Sequence, residues 1–154
     1  MTINDLYKQN YVPYSNKPSI AAVRSQSGRW FPGVRIENIS YPLSISATQN
    51  ALFCCLSEGG HPAELFTEEM DSSMISSWEK EFNISAQSIH KKELMDITFE
   101  NPILTPDSNK TDTLKVLLDK AIVGESDFPV SALVETDRGY FSGVHIECSS
   151  WNMG

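Results

Sequence analysis

Few side chains here are equipped for chemistry, and those few are badly spaced for holding a metal. The 154 residues include three cysteines and three histidines. Cys54 and Cys55 are neighbours, and on a helix they point about 100° apart, too far to share an ion easily. Cys148 stands alone, and no Cys-x-x-Cys occurs anywhere. His61, His90 and His145 fall on different predicted elements with no i, i+4 pair, so each reads as exposed or singly hydrogen-bonded. The polar residues that do gather lie between Tyr11 and Gly59. An alternating strand, Val34 to Asn38, carries Glu37 at its end and runs through a Tyr41-Pro42 turn into a helical pattern that stops at Gly59-Gly60. Such an arrangement aims a helix N-terminus at the strand end, a common way to build a polar site. Ser44 or Ser46 is placed to cap that helix.

The elements that position this stretch are read from periodicity. Met1–Lys8 is short and weakly helical, and Pro13 and Pro18 keep the next stretch extended or turning. Ser19–Val23 and Arg29–Asn38 predict a hairpin around Gln26-Ser27-Gly28. Beyond the helix, Ala63–Thr67 reads as a short strand. Asp71-Ser72-Ser73 then caps a helix through Phe82, with Met74, Ile75, Trp78 and Phe82 on one face. Ile84–Ile89 is a fourth strand and Leu94–Phe99 a fifth. Pro102 to Lys110 is a linker. A helix over Asp112–Val123 presents Leu114, Leu117, Leu118 and Ile122 as an apolar stripe, and Phe128–Val134 with Tyr140–Glu147 forms a second hairpin. Trp30 and Trp78 read as core or interface. The acidic group Glu64, Glu68, Glu69 and Asp71 reads as a solvated loop, with Asp71 at the helix cap.

Composition sets the outer limits. Hydrophobic residues at 40% and charged residues at 21% are ordinary for a soluble domain. A net charge of −8 argues against nucleic acid or an anionic membrane as the main partner and leaves a neutral small molecule open. No apolar run approaches the ~18 residues of a membrane span, the first ten residues lack a signal-peptide core, and cytoplasmic localisation is expected.

The second hairpin repeats the first. Phe31-Pro-Gly-Val-Arg-Ile-Glu37 corresponds to Phe141-Ser-Gly-Val-His-Ile-Glu147, and Pro18 and Pro129 precede the paired strands. A spacing this long points to a duplicated domain, because solenoid periods are ~20–50 residues. The expected organisation is one complete unit over residues 1–107 and, over residues 108–154, a linker, a helix and the opening hairpin of a second unit.

Tyr11-Val-Pro-Tyr-Ser-Asn16, the hairpin closing at Gly33, Ile36-Glu37-Asn38 with Ser40-Tyr41-Pro42, and Ala51-Leu52-Phe53 with Ser57-Glu58-Gly59 resemble the N-terminal half of the cytidine deaminase family. The resemblance implies an α/β fold, a three-layer α/β/α sandwich with a mixed sheet of about five strands. It also implies a zinc-dependent hydrolytic deamination of cytidine or deoxycytidine, in which the metal turns water into a nucleophile and a carboxylic acid moves the proton. The family's Cys-Ala-Glu falls on Ser46-Ala47-Thr48, so Thr48 stands at the acid/base position and Ser46 at a metal position. The family's Pro-Cys-x-x-Cys falls on the helix after Asp71, placing Ser72 and Ile75 at the other two. No catalytic residue, metal ligand or cofactor is therefore expected here. The family's substrate-binding Asn-x-Glu corresponds to Arg35-Ile36-Glu37 and, in the second copy, to His145-Ile146-Glu147. Its base-packing aromatic is Lys17 in the first copy and Phe128 in the second. Glu37, Arg35, Phe128 and Glu147 are thus the substrate-binding candidates, with a nucleoside as ligand and a homodimer as assembly. The expected role is an inert structural half of a two-domain deaminase. The alternatives are the N-terminal part of an active zinc-dependent deaminase whose catalytic motif lies beyond residue 154, and a zinc-free nucleoside-binding protein.

Overall fold

The computed structural model describes residues 3–70, 73–89, 94, 97–100, 103–104 and 109–148. The chain is a mixed α/β protein. Helix α1 (Ile3–Gln9) leads to strands β1 (Ile20–Ser25) and β2 (Trp30–Val34), helix α2 (Ala47–Ser57), strand β3 (Pro62–Thr67), helix α3 (Ser73–Phe82) and strand β4 (Ser85–Ser88). The four strands form one sheet in the order β2-β1-β3-β4. β1 is antiparallel to both β2 and β3, while β3 and β4 are parallel. That parallel pair needs a crossover, which α3 supplies.

Side chains alternate along β1 and so fill both faces of the sheet. Ala21 and Val23 join Phe31, Leu65, Ala51, Leu52 and Trp78 in the core under α2 and α3. Ile20 and Ala22 join Ile3, Leu6, Leu94 and Phe99 on the opposite face, under α1. Helices on both faces give the expected three layers. Trp78 is 1% exposed in the core, and Trp30 lies against Phe66 with ring centroids 5.4 Å apart.

Several boundaries differ from those predicted. β2 ends at Val34, because Ile36 leaves the ladder to bridge Tyr11 on one side and Ile45 on the other. Leu94 and Ile97–Glu100 form no strand, although Leu94 and Phe99 are buried; their apolarity reflects burial under α1. The main sheet therefore has four described strands where about five were expected. The helix expected over 112–123 is α4 (Lys110–Leu118), started by Asn109, whose side chain accepts the Thr111 N–H at 3.1 Å. Part of the expected linker is a strand, β5 (Ile103–Leu104). It adds to β7 (Gly139–Val144), which also pairs with β6 (Ser131–Thr136), in a second sheet of order β5-β7-β6. Asp71, Ser72, His90, Pro102, Pro106, Asp107 and Gly154 lie outside the described residues.

Gly33 shows how closely α2 is seated on the first sheet. A Cβ there would overlap the Ala47 carbonyl and lie 2.5 Å from the Ala51 nitrogen. Only glycine on the strand and small residues on the helix permit that approach.

Candidate functional site

Helix α2 begins where β3 ends, and the site is built there. Ser46 has extended backbone, and its Oγ accepts the Gln49 N–H at 3.1 Å, a regular N-cap. Ser44 does different work: its Oγ accepts the Asn38 N–H at 3.0 Å and braces the preceding turn. The next amides of the helix point at a side chain from the end of β3. Glu69 accepts the Ala47 N–H at 3.2 Å, the Thr48 N–H at 3.1 Å and the Thr48 hydroxyl at 2.9 Å. It also accepts the Ser19 hydroxyl at 2.7 Å. Thr48 is 1% exposed, and its hydroxyl lies 2.7 Å from that of Thr67, itself fully buried. A carboxylate over the first amides of a helix is favoured by the unpaired N–H donors and the helix dipole.

Three members of the acidic group, Glu64, Glu68 and Glu69, are therefore engaged with the fold and are no solvated loop. Glu64 lies in β3 and pairs with Arg24 at 3.1 Å across the β1–β3 ladder. Glu68 accepts the Tyr7 hydroxyl and the Ile20 N–H. Glu69 latches α2. Sequence alone missed these roles because each depends on which distant segment β3 and its end meet: β1 for Glu64, α1 and β1 for Glu68, the start of α2 for Glu69. The only local signal was two glutamates directly after an apolar strand.

Among the positions singled out from sequence, Ile75 is buried at 4% exposure and offers no donor atom. Burial pushes the Cys54 thiol up to about 11, with Glu58 adding to the effect, and the Cys55 thiol up to about 12. Both therefore stay protonated near neutral pH, unlike thiolate ligands. His61 and Lys17 are exposed. No group of three His, Cys, Asp or Glu side chains among the described residues is arranged to hold a metal ion.

Glu37 is 6% exposed and turned into the protein. One carboxylate oxygen accepts the N–H groups of Tyr14 and Ser15 at 3.0 and 3.1 Å, and the other takes the Arg35 guanidinium at 3.1 Å. Hydrogen bonding by the Ser15 side chain, with the Ser15 and Tyr14 amides and Arg35 adding, holds its carboxyl down at about 2. Glu37 and Arg35 thus meet as a pair that closes the loop over residues 11–16. Asn16 in that loop has φ 52°.

The second hairpin builds the same frame. Glu147 accepts the Glu125 and Ser126 N–H groups at 2.8 and 3.2 Å, and Asp127 has φ 51°. Ser126 hydrogen bonds likewise lower its carboxyl. The Tyr11 backbone exchanges hydrogen bonds with Arg35 and Glu37, and the Ile122 backbone does so with His145 and Glu147. Phe128 is 67% exposed, and its carbonyl accepts His145 Nδ1 at 3.0 Å. Among the described residues, no hydrogen bond or ion pair joins the Glu37 set to the Glu147 set.

Between the two frames lies an open cavity of about 720 Å³. One wall is the outward stripe of α2, Asn50, Phe53, Cys54 and Ser57; the other runs from Ser142 to Glu147. A Lys120–Glu58 ion pair at 3.4 Å bridges the two sides.

Residues 4–79 match the family model described as the cytidine and deoxycytidylate deaminase zinc-binding region, which reaches through α2 and most of α3. Among solved structures, cytidine deaminase from Mycobacterium tuberculosis is 30% identical, with 43% of this chain and 55% of that one covered and a TM-score of 0.40. Cytidine deaminase from Burkholderia pseudomallei is 32% identical, with 44% and 61% covered and a TM-score of 0.38. The Mycobacterium leprae enzyme is 30% identical, with 41% and 54% covered and a TM-score of 0.39. This chain therefore spans less than two thirds of the length of each.

Proposed function

Residues 4–79 are a cytidine deaminase-like segment, and from that premise we propose that it is a zinc-free, catalytically inert deaminase domain whose work is structural. One observation carries this reading: the described side chains at the family's metal and acid positions, Ser46, Ile75 and Thr48, are committed to the fold. Ser46 is spent on its helix cap, and Thr48 is buried between Thr67 and Glu69. Ile75 has no lone pair to offer. Zinc needs three protein ligands beside an open position, and these residues do not fit it. Glu69 is the carboxylate at the spot, and four donors from the protein already occupy it.

The same proposal assigns Glu37 to loop closure, since its oxygens are used by Tyr14, Ser15 and Arg35. It assigns residues 1–107 to one unit and 108–154 to the start of a second copy, with β5 of the first range crossing to pair with β7 of the second. The matching carboxylate frames of Glu37 and Glu147 support that division. Exposed apolar residues on one turn, Ile39 at 86%, Tyr41 at 78% and Leu43 at 58%, support association as a homodimer.

The experiment is elemental analysis of dialysed protein, paired with ammonia release from cytidine and deoxycytidine. Zinc well below one per chain and no enzyme-dependent ammonia are expected. One zinc per chain, or turnover above background, would overturn the reading. Light scattering should give twice the chain mass; a monomer at micromolar concentration removes the dimer from the proposal.

A further inference from the structure

Strands at the edge of a sheet carry unpaired backbone groups, and proteins ordinarily shorten, cap or charge them. Three of the four described sheet edges are treated that way. In the main sheet the Trp30 and Val34 carbonyls of β2 accept the Glu100 N–H at 2.8 Å and the Asn50 amide at 3.0 Å. Its other edge, β4, is a short and mostly polar run, Ser85–Ser88, and in the second sheet β5 is only Ile103–Leu104. The fourth edge, β6, is six residues long and pairs on one side, with β7. The Val130 carbonyl accepts the His145 N–H at 2.9 Å. Alternation along the antiparallel ladder therefore turns the backbone of Ala132 and Val134 to β7 and that of Ser131, Leu133 and Glu135 outward. Among the described residues, nothing pairs with those three outward backbones. Glu135, the charge that would guard the edge, is held by Lys110 at 2.9 Å. Apolar side chains stand open along the strand and its approach: Phe128 is 67% exposed, Val130 44% and Val134 60%.

We propose that β6 pairs antiparallel with β6 of a second molecule of this chain, about a two-fold axis at Leu133, so that two three-stranded sheets become one of six strands. The strand's own sequence selects this register. Leu133 faces the partner's Leu133, and Glu135 faces the partner's Ser131, so all three outward residues are paired and exchange six backbone hydrogen bonds. A slip of two residues either way leaves one outward residue of each strand unpaired. A slip of four towards the hairpin turn sets Glu135 against the partner's Glu135, like charge opposite like. Pro129, the next outward position, has no N–H and ends the ladder. On the open face Val134 then lies opposite the partner's Ala132, and Val130 opposite the partner's Thr136, which covers apolar surface that a single molecule leaves in water. The inference rests on the homodimer reading, which it deepens by naming the strand that pairs, and it is independent of zinc.

The test is analytical ultracentrifugation of the full 154-residue chain with two double variants at Ala132 and Val134, both exposed. Wild type should sediment as a dimer at micromolar concentration. Ala132→Lys with Val134→Lys sets two like-charge pairs across the axis and should weaken the dimer at least about tenfold, more so at low salt. Ala132→Glu with Val134→Lys sets a carboxylate opposite an ammonium in this register, whereas neighbouring registers oppose like charges, and it should remain dimeric. Both should keep the wild-type far-ultraviolet circular dichroism. A dimer unaffected by the two lysines would overturn the strand contact and leave the homodimer reading standing. A monomeric carboxylate–ammonium variant would overturn the register and with it the proposal. A monomeric wild type would remove the pairing and the homodimer together, while zinc analysis still judges the inert-domain reading by itself.

Discussion

On the proposed correspondence, replacing Thr48 by glutamate would restore the family's acid in name, and the predicted outcome is a loss of stability without any gain of activity. Thr48 is 1% exposed, with its hydroxyl 2.9 Å from the Glu69 carboxylate. A second carboxylate there sits about 4 Å from the first, which at an effective dielectric near 20 costs about 4 kcal/mol. Losing the Thr67 hydrogen bond adds about 1 kcal/mol. Fitting a longer side chain into a packed position adds about 1–3 kcal/mol more. The electrostatic part depends on pH. The introduced carboxyl keeps its proton to higher pH in the folded state than in the unfolded one. The folded state then binds more protons, and stability relative to wild type falls as pH rises through and above the ordinary carboxylate range. Urea unfolding at about pH 5 and about pH 8 should show the larger deficit at the higher pH. The double variant Thr48→Glu with Glu69→Gln should recover most of the pH-dependent part, and neither variant should release ammonia from cytidine. An equal deficit at both pH values, with no coupling in the double variant, would refute the latch on α2.

Other outcomes rest on the same geometry. Glu37 has a depressed carboxyl at about 2, so its contribution is fully present above the unfolded range near 4.5 and is lost as pH falls towards 2. The stability gap between wild type and Glu37→Gln should close over that window in acid titrations monitored by circular dichroism. Gly33→Ala drives a methyl into the α2 backbone and should destabilise by about 3 kcal/mol or more, whereas Gly143→Ala should stay within about 1 kcal/mol of wild type. Chemical denaturation of the pair checks this. Ser46→Ala removes the α2 cap and should lose about 1 kcal/mol, with zinc content unchanged by elemental analysis.

Much of the four-stranded sheet and of α2 was legible because their signals are local. Ser46 before an apolar run announces the helix start, and Gln26-Ser27-Gly28 announces the hairpin, with Gly28 at φ 82°. The pairing of Glu37 with Glu147 was visible as a repeated motif, although what each glutamate holds was not. Contacts set by tertiary register stayed hidden. Ile103 and Leu104 read as linker because two residues carry no periodicity, yet they find the open edge of β7. Leu94 and Phe99 read as strand because burial and strand pairing favour the same residue types. Glu69 read as loop because a carboxylate gains its meaning only once β3 and the start of α2 meet.

That meeting also changes how the protein breathes. The first amides of a helix have no partner within the helix, and they ordinarily trade their hydrogens with solvent fastest. Here the amides of Ala47 and Thr48 are held by a side chain anchored at the end of β3, which also holds Ser19 ahead of β1. Their exchange then requires the strand end and the helix start to part together. In deuterated solvent these two amides should be retained with the sheet, as members of one cooperative opening unit. Removing the Glu69 side chain would return them to the pace of a fraying helix end.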